Sequence, residues 1–170
     1  MHAGMITRTE LLALTEGTLM VRTTSLMTAA VAPSDWTDSL ASVPLFSGVS
    51  RRNLRGLTRV AKIQRFADQS LIVRAGDRGD AFYLLLEGSA VARPAGKKPV
   101  KLGAGDFFGE MALLDDSPRS ATIEAQHDVL VARIGRNDFY KMLTREPKVA
   151  LVLLRTLAAR LRSAETSVNH

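Results

Sequence analysis

A carboxylate, a guanidinium and a hydroxyl fall together between Phe108 and Ile123, around positions with little or no side chain. Glu110, when ionised, only accepts hydrogen bonds, so it suits a sugar hydroxyl and repels an anion. Arg119 carries a fixed charge on a planar fork that matches two phosphate oxygens. Ser120 adds a hydroxyl beside it. Gly109 removes the side chain where backbone must come close to a ligand. Residues 110–114 have the composition of one helical turn, whose free N–H groups and dipole favour an anion. The stretch reads as a cradle for one small anion that carries a sugar.

No second constellation competes with it. Asp115 and Asp116 are paired carboxylates, but they lie in the bulge before Pro118, away from any nucleophile. His2, His127 and His170 are scattered along the chain, and there is no cysteine, which excludes thiolate metal sites, disulfides and a cysteine nucleophile. No Ser-His-Asp set or phosphate-transfer loop appears, so the expectation is a protein that is not an enzyme and needs no metal or cofactor. The duller reading of Glu110 and Arg119 is a structural ion pair, which is seldom stabilising by itself. Gly109, Pro118 and Ser120 beside them favour a ligand.

Such a cradle needs a rigid frame. From Lys62 to Ile134 the sequence breaks into short strand-like runs divided by turn residues: 71–74, 82–86, 89–93, 99–102, 122–125 and 129–134. This density of strands and punctuation predicts an antiparallel sandwich or jelly roll. Helices flank it. Asp35–Ser42 has a capping residue and a short amphipathic pattern ending at Pro44, and Ser50 can cap a helix from Arg51 to about Ala61. Asn137 can cap another to about Arg145, and beyond Pro147 a last helix runs from Lys148 to about Ala164. In it Leu151, Leu154, Leu157, Ala158 and Leu161 form one stripe, suited to packing on the roll, covering a ligand or pairing with a second subunit. The fold class expected is α+β, mainly β: an eight-stranded antiparallel jelly roll with N- and C-terminal helices. The organisation expected is a loose tail over 1–34, a domain over 35–165 and a short tail over 166–170.

The same residues carry a family resemblance. Phe108, Gly109, Glu110, Ala112, Leu113, Pro118, Arg119, Ser120 and Ala121 match the phosphate-binding cassette of the cyclic-nucleotide-binding domain family. The turns Ala75–Asp77, Gly79-Asp80 and Glu87-Gly88, and Pro44-Leu45-Phe46, sit where that family has its hairpin glycines and its N-terminal helical motif. The resemblance covers about residues 36–163. Asp68-Gln69 departs from it, where many members have Gly-Glu, and touches only a turn. The resemblance implies a sensor of cyclic AMP or cyclic GMP held by Phe108, Gly109, Glu110, Met111, Ala112, Arg119, Ser120 and Ala121. Cyclic AMP is favoured, because Ser-Ala after the arginine also resembles the catabolite activator protein. The base would be capped from the final helix by Leu154 and Arg155, with Arg160 and Leu157 alongside. Leu113 would meet Phe139 or Leu143 and pass the signal on.

Charge and length bound the partners. A net charge of +6 raises nucleic acid, and Arg51, Arg52, Arg55, Arg59, Lys62 and Arg65 form the densest cluster. Its plain reading is the solvated face of an amphipathic helix, and no interleaved aromatics mark a single-strand platform. No apolar run is long enough to span a bilayer. With the missing cysteines, this leads to an expected cytoplasmic location. Seven residues follow Ser163, too few for a helix-turn-helix, so no DNA-binding domain is expected. The expected partners are a cyclic nucleotide, an unidentified protein effector and a second copy of the chain. The alternative from another class is a ligand-free interaction domain of the same fold that dimerises through the final helix.

Overall fold

A computed structural model describes residues 36–168, and side chains to Thr166. The expected 1–34 tail, the Asp35 cap and the last two residues of the expected C-terminal tail lie outside the described residues. The described residues open with α1 (Thr37–Ala41), a 3₁₀ turn at Pro44–Phe46 and α2 (Arg51–Val60). Ser50 caps α2 as its sequence predicts, its Oγ accepting from the N–H of Asn53 at 3.3 Å. Lys62 and Arg65 do not continue that helical face. They belong to β1 (Lys62–Phe66), because α2 ends at Val60.

Five more strands follow: β2 (Leu71–Val73), β3 (Ala81–Pro94), β4 (Val100–Gly103), β5 (Phe107–Phe108) and β6 (Ala121–Gly135). All pair antiparallel in one six-stranded sheet, ordered β1-β6-β3-β4, with β2 on β6 and β5 on β3. Six continuous strands stand where eight were expected: the six runs read from sequence form four of them, and β1 and β5 come from segments not among those runs. The runs 82–86 and 89–93 are one strand, β3, and the runs 122–125 and 129–134 are one strand, β6. Glu87-Gly88 acts as a bulge instead of a turn: the β3–β6 register shifts on both sides of Glu87 while pairing continues from Ala81 to Pro94. A Cβ at Gly88, whose φ is +83°, would lie 2.3 Å from the Asp128 carbonyl oxygen, so only glycine lets the strands pass so closely there.

Side chains alternate between two cores, as a strand's period of two requires. Along β3, Phe82 and Leu84 face the helices, while Ala81, Tyr83 and Leu85 face the interior of the sheet. β5 divides in the same way, Phe107 to the helical side and Phe108 to the interior. The helical core collects Trp36, Leu40, Phe46, Leu54, Phe139 and Leu153, with Phe82 and Phe139 stacked at 5.1 Å between ring centroids. α4 (Arg136–Arg145) begins two residues before its expected start, with Gly135 in place of Asn137 at its N-cap. α5 (Pro147–Val168) starts at the proline that separates it from α4 and runs to Val168, past the expected boundary at 165.

Candidate functional site

β5 delivers the chain to Gly109, which turns it in the left-handed region at φ +88° and caps the five-residue helix α3 (Glu110–Leu114). A Cβ there would stand 2.5 Å from an Arg119 nitrogen and 2.8 Å from the Ala81 oxygen. Glycine is therefore demanded twice, by conformation and by space. Gly79 is constrained from the other side, since its Cβ would meet that of Ala112 at 2.4 Å.

Arg119 is held by backbone at both ends. Its N–H donates to the Asp77 carbonyl at 2.8 Å, and its own carbonyl accepts from the Gly76 N–H at 2.9 Å. Its side chain is buried, only 6% exposed. One guanidinium nitrogen, Nη1, donates to the Gly109 carbonyl at 3.1 Å, and the other, Nη2, to that of Ala81 at 2.8 Å. The guanidinium carbon lies 5.5 Å from the Tyr83 ring centroid, and the nearest carboxylate is Asp80 at 3.7 Å. Asp80 itself pairs with Arg133 at 2.6 Å. Burial pulls the Arg119 pKa down and the Tyr83 and Asp80 groups push it back up, so a cation is kept inside the fold with little carboxylate compensation.

Glu110 is 2% exposed, and the only ion pair it makes among the described residues is with Arg160. Arg160 reaches in from α5, donating from Nη1 to Glu110 Oε1 at 2.8 Å and from Nη2 to the Phe107 carbonyl at 3.0 Å, and lies 5.0 Å over the Phe107 ring. The other carboxylate oxygen, Oε2, is buried with no hydrogen-bond partner. A buried acceptor without a donor is costly, about 1–3 kcal/mol. Burial pushes the Glu110 carboxyl above its ordinary value of 4.5, against the opposing pull of Arg160, its own backbone N–H and Arg119. Arg119 and Glu110 do not pair with one another among the described residues, so the structural ion pair suggested by sequence alone does not form.

The remaining expected residues divide clearly. Phe108, Gly109, Glu110, Ala112 and Arg119 come together, with Phe108 stacked on Tyr83 at 5.1 Å. Met111 and Ser120 are exposed at the rim, their side chains 4.0 Å apart, and Ala121 opens β6 half-buried. Leu154 and Arg155 are exposed on α5, and neither side chain makes a hydrogen bond or ion pair among the described residues. Leu113 packs in one core with Phe139, while Leu143 lies against it partly buried; the Tyr140 hydroxyl donates to the Leu113 carbonyl. Sequence reasoning missed Asp80, Arg133 and Tyr83 around Arg119, and it missed the Arg160 contact to Glu110. Only the spacing of Arg160 from the buried Val149 and Leu153 on α5 could have pointed to that contact.

Residues 63–146 match the model of the cyclic nucleotide-binding domain. A cAMP-dependent protein kinase regulatory subunit of Hypocrea atroviridis is 38% identical over 104 residues, 61% of this chain and 22% of that protein. The chain spans about a quarter of the length of the curated kinase subunits it matches. Among solved structures, the regulatory domain of Toxoplasma gondii PKA with cAMP aligns with a TM-score of 0.64 at 31% identity, covering 72% of this chain and 49% of that one. The regulatory subunit of a cAMP-independent protein kinase A from Trypanosoma brucei aligns at 0.66 and 27% identity, covering 71% and 44%. With its turn glycine, buried arginine and buried glutamate set as described, the domain built around residues 63–146 belongs to the cyclic nucleotide-binding domain family.

Proposed function

We propose that this domain senses a cyclic mononucleotide, with cyclic AMP favoured over cyclic GMP, and regulates a partner without catalysing a reaction. One observation carries the proposal: a buried arginine anchored by two backbone carbonyls stands beside a buried glutamate with one unpartnered oxygen. The phosphate takes the remaining guanidinium donors and the α3 N–H groups, and the ribose hydroxyl donates to Glu110 Oε2. Met111, Ser120 and Ala121 line the rim. The base is capped from α5, by Leu154 and Arg155 on a closed helix, with Arg160 already at the cassette. Ligand binding tightens α3, shifts Leu113 against Phe139 and draws α4 and α5 over the base. The ligand moves that equilibrium only by its difference in affinity for the two states.

The same reading treats β3 and β6 as two strands each, divided at their bulges. The sheet is then an eight-stranded jelly roll, within a domain over 35–165 and between tails at 1–34 and 166–170. The protein works in the cytoplasm on a protein effector. No helix among the described residues is long and apolar enough to cross a membrane.

The test is isothermal titration with cyclic AMP and then cyclic GMP, with Arg119→Ala as control. The expected result is binding near ~10 μM or tighter, from about 0.3 kcal/mol for each of ~22 ligand atoms. The mutant should lose about 2–5 kcal/mol of it, since a buried phosphate charge is left unpaired. No heat with either nucleotide, in folded protein at several temperatures, would sink the proposal.

A second reading has its own support. Leu151, Leu154 and Leu161 are 52%, 59% and 63% exposed along one side of α5, and one structural neighbour is the regulatory subunit of a cAMP-independent protein kinase A. In this reading the domain needs no ligand and dimerises through α5. A dimer by light scattering that Leu154→Glu converts to monomer, with no nucleotide binding, would favour it.

A further inference from the structure

Away from the cassette, α2 and α4 enclose a groove of ≈ 870 Å³ whose walls carry Arg52, Arg55 and Arg59 on one side and Lys141 and Arg145 on the other. All five side chains are exposed, and none of the four arginines has a carboxylate partner among the described residues. The two acids in the groove are already engaged: Asp138 pairs with Lys141 at 3.8 Å, and Glu146 accepts from Asn53. Gly56 lies mid-helix in the α2 wall. A Cβ there would meet nothing within 4 Å, and its φ is not in the left-handed region, so neither space nor backbone requires glycine. A glycine in a helix interior weakens the helix relative to alanine. Its one local effect is to leave the α2 backbone uncovered between Arg52, Arg55 and Arg59, where another chain could approach closely.

We infer that this groove is a docking site for an acidic, amphipathic helical segment of a partner protein. The segment crosses α2 at Gly56, rests an apolar edge on Val60, which is 42% exposed, and sets carboxylates against the arginines of both walls. Two walls of cations around an apolar contact complement a segment with an apolar edge and acidic flanks, a pattern that an amphipathic helix displays on one side. A nucleic acid fits less well. No exposed aromatic lines the groove for base stacking, and the exposed Val60 between the cations offers an apolar contact that a phosphate backbone would not use.

The probe is a labelled synthetic peptide of about 20 residues, long enough to form a helix, with a leucine stripe flanked by glutamates. Fluorescence anisotropy follows its binding to the full chain at about 50 mM and about 300 mM salt, where screening differs strongly. The expected result is saturable binding, weaker at the higher salt. It should fall roughly tenfold or more when Arg52→Gln, Arg55→Gln and Arg59→Gln are combined, and again in Gly56→Leu alone. Circular dichroism should show both variants folded, and Gly56→Ala should raise the unfolding temperature. Absence of peptide binding at low salt overturns the proposal. So does binding that ignores the arginine changes, or tighter binding of a duplex DNA of similar length.

Discussion

Gly109 is the residue on which the cassette turns, because its missing side chain is what lets Arg119 lie against the Ala81 carbonyl. Gly109→Ala would both strain a left-handed backbone and push a carbon into the guanidinium, costing about 1–3 kcal/mol of stability in urea denaturation. Nucleotide binding should be lost in the same variant, since the arginine must move. Glu110 offers a prediction with a direction in pH. Its raised carboxyl pKa means the folded chain holds a proton to higher pH than the unfolded chain does. Its contribution to stability is therefore full below 4.5 and is lost as pH rises through the folded-state value. Glu110→Gln should flatten that fall in a denaturation series across the acid range. A ribose hydroxyl donating to the carboxylate favours the ionised form, so wild-type affinity should rise with pH over the same window, with Arg160 and Arg119 the cations facing it. The cassette was legible in sequence because Gly109, Glu110 and Arg119 lie within one local segment. Asp80 and Arg160 were not, because the contacts that bring them to Arg119 and Glu110 are made only when the sheet and α5 assemble.

The elements show where pattern reading stops. α2 was legible in its Ser50 cap and in its buried Leu54 and Leu57, but not in Val60, which helical spacing also turns inward and which is 42% exposed. On α5 the expected stripe allowed packing on the roll, covering a ligand or pairing with a second copy, and of its leucines Leu157 packs partly buried against the helical core. Leu151, Leu154 and Leu161 have helical spacing but are exposed, while Val149 and Leu153 are 1% and 2% exposed and carry the packing. Both sets repeat at the period of a helix, so periodicity cannot choose between them. Strand boundaries blur for a related reason: Gly88 resembles a turn in sequence, yet pairing runs through it. The buried set sets the energetics. Leu153→Ala should cost about 2–5 kcal/mol and Phe139→Ala about 3–5 kcal/mol by chemical denaturation, whereas Leu154→Ala should cost less than about 1 kcal/mol.

At the scale of the whole molecule, two cores share one sheet and the cassette joins them. β5 sends Phe107 to one and Phe108 to the other immediately before Gly109. A ligand that fixes the cassette therefore restrains both cores, and its effect should appear as global stability. At a nucleotide concentration of about a hundred times Kd, thermal unfolding should gain roughly 2.7 kcal/mol. Arg119→Ala should abolish that gain. The chain's single tryptophan gives this arrangement an optical consequence. Trp36 is packed in the core that holds Phe82 and Phe139, while Arg119 sits over Tyr83, which faces the other core. The indole emission thus reports on the helical core, which the cassette enters through Leu113, and not on Arg119 itself. A spectral shift on adding nucleotide would record movement handed from the cassette into that core, without any label attached.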